Sequence, residues 1–63
     1  MPISGKIVIK KLRKAGWELV SQTGSHVKLK KGRSITIVPV HGNKDLPIGT
    51  IKGIEKQTGE KLL

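Results

Sequence analysis

The chain has 63 residues, with thirteen Lys and Arg against four Asp and Glu, a formal charge of +9 and no cysteine. At this length only about 60% of the unfolded surface is buried on folding, so residues 1–63 are expected to form one domain with a thin core. Without cysteine there is neither a disulfide framework nor a thiolate metal site, and no apolar run approaches the ~20 residues of a membrane helix or forms a signal-peptide h-region, which makes the cytosol the default compartment.

Ser4 is a predicted N-cap, and from Gly5 to Ala15 the apolar Val8, Leu12 and Ala15 recur at i, i+4 and i+7 with Ile9 beside them, the stripe of an amphipathic helix. Lys6, Lys10, Lys11, Arg13 and Lys14 cover the rest of its surface and crowd the C-terminal half, where the helix dipole favours cations. Gly16 supplies the stop. Trp17 to Gln22 reads as a first strand ending in a Thr23-Gly24-Ser25 turn. Its facing is ambiguous, because Leu19 and Val20 are adjacent; pairing Gln22 with His26 turns Trp17 and Leu19 to the core side.

A second strand runs from His26 to Lys30, a compact Lys31-Gly32-Arg33 turn follows, and a third strand spans Ser34 to Val38. With Lys30 opposite Ser34, Leu29 faces Ile35 and Val27 faces Ile37 on the core side; His26, Lys28 and Lys30 then share the other side with Val38, Thr36 and Ser34. Pro39 ends the ladder, Val40 to Asp45 is a polar loop, and Pro47 opens a second helix that reaches Thr58 before Gly59. Ile51, Ile54 and Thr58 form its inner stripe, and Gly53 costs about 1 kcal/mol relative to Ala, so this helix leans on packing. The order is α-β-β-β-α, an α+β layout with a three-stranded antiparallel sheet, both helices on its apolar face and the other face open. That is the layout of the double-stranded-RNA-binding domain.

The charge points to an acidic partner, with phosphate backbone first. An anionic membrane is a second option, but the basic helix offers only small and β-branched groups where membrane-binding helices carry Trp, Phe or Leu. Trp17 is the only aromatic residue. Reading single strands by stacking needs several exposed rings, so recognition by shape and phosphate is favoured.

The stretch Gly24-Ser25-His26-Val27-Lys28-Leu29-Lys30 puts His26, Lys28 and Lys30 on one side of a strand, the lysines about 7 and 13 Å from the histidine. Taken alone, His26 meets no common metal or catalytic template, and it is either a surface histidine or a general base for a ribose 2′-OH. Lys28 is placed to offset charge at the scissile phosphate and Lys30 to reach a neighbouring one; the plain alternative is two solvated lysines. Gly24 serves the turn, and Ser25 either closes it or donates to a phosphate oxygen. Lys10 and Lys14 of the first helix are further candidates for RNA backbone. His41 is expected at the same end of the sheet, about three positions or roughly 10 Å beyond the point opposite His26, and is a minor acid-base candidate. Asn43 and Asp45 read as turn formers.

Ser4-Gly5-Lys6, Ala15-Gly16-Trp17, Gly24-Ser25-His26 and above all Val38-Pro39-Val40-His41-Gly42-Asn43-Lys44-Asp45-Leu46, followed by Gly49-Thr50-Ile51, resemble the HicA, or YcfA-like, toxins of HicA/HicB toxin-antitoxin systems. The resemblance spans Ser4 to Gly59 in unbroken order. It implies a double-stranded-RNA-binding-domain-like fold, a metal-independent endoribonuclease without cofactor that cuts mRNA, and a catalytic histidine in the Gly-Ser-His motif, here His26. It also implies a cognate HicB-like antitoxin that covers that histidine. The rival from a different class is a non-catalytic RNA-binding module on the same basic surface.

Overall fold

Ser4 caps the first helix, α1 (Gly5–Lys14), its hydroxyl oxygen accepting from the Ile7 amide at 3.4 Å, in a computed structural model that describes residues 3–63. Gly5, Val8 and Leu12 turn inward. After Ala15, Gly16 takes φ 100, a conformation that favours glycine, and swings the chain so that Trp17 is 3% exposed. The sheet follows as β1 (Glu18–Thr23), β2 (His26–Lys31) and β3 (Ser34–Pro39), antiparallel throughout with β2 in the centre. The second helix, α2 (Ile48–Thr58), begins after Pro47 and ends at Gly59, whose amide donates to the Glu55 carbonyl at 2.7 Å. Both helices lie over β3, on the same side of the sheet.

The expected β2–β3 register is wrong by one residue. Lys31, not Lys30, lies opposite Ser34, so Leu29 pairs with Thr36, Val27 with Val38, Lys28 with Ile37 and Lys30 with Ile35. The cause is the turn. Gly32 and Arg33 alone make it, with Gly32 at φ 59, and shortening a turn by one residue reverses the faces of the strand beyond it. Val38 and Thr36 are therefore buried while Ile35 and Ile37 are 46% and 50% exposed. Burying a threonine instead of an isoleucine is made tolerable by a hydrogen bond, its hydroxyl donating to Gln57 Oε1 at 2.8 Å.

The β1–β2 pairing is corrected in the same way. The turn is Gly24-Ser25 alone, Thr23 rather than Gln22 pairs with His26, and a bulge at Val20 absorbs one residue between Leu19 and Ser21. Leu19 does pair with Leu29, but it is 45% exposed, because the helices lie over β3 and leave β1 uncovered. In α2, Ile51 and Ile54 are buried as expected; Thr58 is half-buried and its hydroxyl donates to the Ile54 carbonyl.

Besides Trp17, two core residues come from outside the helices and strands. Leu46 is buried beside the N-terminal segment, its amide donating to the Ile3 carbonyl at 2.8 Å. Leu62 is buried from the C-terminal tail, which is held by Glu55 Oε2 accepting from the Leu62 and Leu63 amides and by Lys11 donating to the Leu62 carbonyl.

Candidate nucleic-acid interface

The open face of the sheet is built in rows. The first row is Thr23, His26 and Pro39; the second is Ser21, Lys28 and Ile37; the third is Glu18, Lys30 and Ile35. Alternation along β2 buries Val27 and Leu29 and leaves His26, Lys28 and Lys30 exposed, as the sequence requires. Neither lysine forms an ion pair among the described residues. Among the described residues the ion pair is Lys31–Glu60, at 3.4 Å on the rim of the molecule.

The turn before His26 is fixed from both sides. Gly24 adopts φ 59, and the half-buried Ser25 accepts at its carbonyl from the Val40 amide at 2.6 Å. Pro39 thus does not end the ladder, which continues one bond further. This bond and the corrected register bring His41 closer to the turn: it follows by two positions the residue opposite His26. His41 is exposed and begins a turn in which its carbonyl accepts from the Lys44 amide, with Gly42 at φ 60. Asn43 and Asp45 belong to this loop, Asn43 Oδ1 accepting from Lys6 Nζ at 3.5 Å and Asp45 bridging to Ser4.

Lys10 and Lys14 are not part of this constellation. They lie on the side of α1 turned away from Val8 and Leu12, so the sheet and the helix stand between them and His26. Ile35 and Ile37, by contrast, join the open face without having been foreseen. The signal for them was the Gly-Arg pair read as a two-residue hairpin. Among the described residues no three His, Asp or Glu side chains gather as a metal site requires.

The order α-β-β-β-α, with two helices on one face and an open, cationic second face, defines a small basic domain of the double-stranded-RNA-binding-domain type. Within that class, the family described as HicA toxin of bacterial toxin-antitoxin matches residues 5–60, and the chain belongs to that family. It is accordingly a toxin of a toxin-antitoxin system, with an antitoxin as partner. No curated protein matches the chain significantly. No helix among the described residues is long and apolar enough to cross a membrane.

Proposed function

We propose that the protein is an endoribonuclease that cleaves mRNA without a metal, with His26 as general base. His26 takes the proton of a ribose 2′-OH, the 2′ oxygen attacks the adjoining phosphorus, and the bond from phosphorus to the 5′ oxygen breaks. The products are a 2′,3′-cyclic phosphate and a 5′-OH. A neutral imidazole nitrogen can accept the proton, a role that contributes about 10²- to 10⁴-fold in rate. Lys28, one row away, offsets the charge that grows on the phosphate, and Lys30 holds a neighbouring phosphate. Gly24 and Ser25 shape the turn against which the backbone lies. The departing oxygen takes its proton from water, a lysine or His41.

The observation that carries this reading is an exposed imidazole one and two rows from Lys28 and Lys30, neither in an ion pair among the described residues, on an uncovered sheet face. The same face suits a HicB-like antitoxin. Ile37 and Ile35 stand exposed beside Lys28 and Lys30, so an acidic partner that covers His26 also removes apolar surface from water.

Replacing His26 with alanine tests the catalytic role. The variant is expected to lose RNA cleavage and growth inhibition while still binding RNA; cleavage at the parental rate overturns the role of His26, and a parent protein that binds RNA without cutting it is the non-catalytic binding module instead.

A further inference from the structure

The outer side of α1 carries an unexplained concentration of charge. Lys6, Lys10, Arg13 and Lys14 surround an open groove of about 520 Å³ with Ile9 at its side. The helix contains no acidic residue, and none of these cations forms an ion pair among the described residues. Lys6, Lys10 and Lys14 repeat at i, i+4 and i+8, a spacing of like charges that destabilises an isolated helix. An anion lying along the helix would relieve that repulsion.

The groove faces away from the open sheet, across the thickness of a helix and a sheet, on the order of 15–20 Å. The two surfaces are nonetheless joined at one end of the molecule. His26 lies opposite Pro39; a Cβ at Gly5 would overlap the Pro39 carbonyl and lie 3.1 Å from Val40 Cγ2; and Lys6 reaches Asn43. The sheet end that holds His26 is therefore the end from which α1 departs, and the exposed His41–Lys44 loop lies between them.

We infer that the α1 groove is an exosite for the phosphate backbone of the substrate RNA flanking the cleaved bond, the strand crossing from His26 over the His41–Lys44 loop. This rests on the reading above in taking RNA as the ligand and the His26 end of the sheet as the place where it is held for cleavage. Trp17, the one aromatic ring, is buried, so the exosite has no stacking platform and holds RNA by its backbone, whatever the sequence. Base preference then belongs to the sheet face and affinity for long RNA to α1.

The test is the salt dependence of binding to a 40-nucleotide mixed-sequence RNA, in a His26→Ala background so that nothing is cut. Each phosphate contact on a single strand adds about 0.7 to the slope of log K against log salt, so Lys10→Gln/Arg13→Gln/Lys14→Gln should lower that slope by about 2. Glutamine is a good helix former, and these positions are exposed, so α1 is retained. A variant of equal charge, Lys52→Gln/Lys56→Gln/Lys61→Gln, should change the slope by less than half as much. Equal losses in the two variants, or an unchanged slope in the first, overturn the exosite. Amide shifts of the otherwise unaltered His26→Ala protein give a second readout: residues 10–14 should move on adding the RNA, and their silence also overturns it. Because binding is read without cleavage, a protein that cuts no RNA yet shows the slope change fails only the catalytic proposal.

Discussion

The Val40 amide donates to the Ser25 carbonyl at 2.6 Å, one residue past the Pro39–His26 pair. This bond ties the turn that presents His26 to the loop that carries His41, and both to the start of α1 through the packing of Gly5 under Pro39 and Val40. The position of the imidazole is therefore set by β3 and α1 as well as by its own strand.

Gly5 and Gly53 should respond to alanine with opposite signs. Both lie in helices, where Gly→Ala ordinarily stabilises by about 0.5–1 kcal/mol. Nothing lies within 4 Å of a Cβ at Gly53, so Gly53→Ala should gain about that amount. At Gly5 the methyl meets the Pro39 carbonyl, and displacing backbone should cost a net ~1–3 kcal/mol and reduce activity through the His26 turn. Urea unfolding measures both.

The register can be checked by truncating neighbours on β3. Val38→Ala should destabilise by about 1–3 kcal/mol and Ile37→Ala by less than about 0.5 kcal/mol, because only Val38 is in the core. The opposite order would restore Lys30 opposite Ser34. Thermal melts of the two variants are sufficient.

Lys28 and Lys30 should separate kinetically. Removing the Lys28 ammonium should lower kcat by on the order of 10²-fold with little change in KM, as for other groups that act on developing charge. Lys30→Ala should mainly raise KM, with a salt slope shallower by about 0.7. Single-turnover cleavage of one RNA at several salt concentrations distinguishes them.

The C-terminal clasp gives the molecule an acid-sensitive contribution to stability. The amides of Leu62 and then Leu63 donate to Glu55 and hold its carboxyl below the ordinary carboxylate range, with Lys52 and Lys61 assisting. A depressed folded value means that the contribution is complete above the unfolded carboxylate range, near pH 4.3, and fades as pH falls through the lower folded value. The stability difference between parent and Glu55→Gln should therefore be constant near neutrality and shrink below about pH 4. Leu62→Ala should cost about 2–5 kcal/mol at any pH, since its side chain is fully buried.

The elements were legible because local signals agree: Ser4 and Gly16 bracket α1, Gly24 and Gly32 mark hairpins, and Pro47 and Gly59 bracket α2. His26, Lys28 and Lys30 were placed on the open face by alternation along β2, which no error in β3 disturbs. The face of β3 was not legible. Ile35 and Ile37 are the more apolar set, and choosing Thr36 with Val38 for the core depends on turn length and on Gln57, twenty-one residues away, receiving the hydroxyl. Leu46 and Leu62 carry no periodicity, since each enters the core from irregular chain, and the need for glycine at position 5 arises from a strand end distant in sequence. Lys10 and Lys14 looked equivalent to the sheet lysines as charges; only the three-dimensional arrangement sets them on the far side.

The most direct measurement is cleavage of a defined mRNA fragment by purified parent and His26→Ala protein, read by denaturing gel with the product ends identified. The expected result is 5′-hydroxyl and 2′,3′-cyclic phosphate ends from the parent, and a rate lower by about 10²-fold or more for the variant with RNA binding retained. Equal rates from the two proteins would contradict the role given to His26.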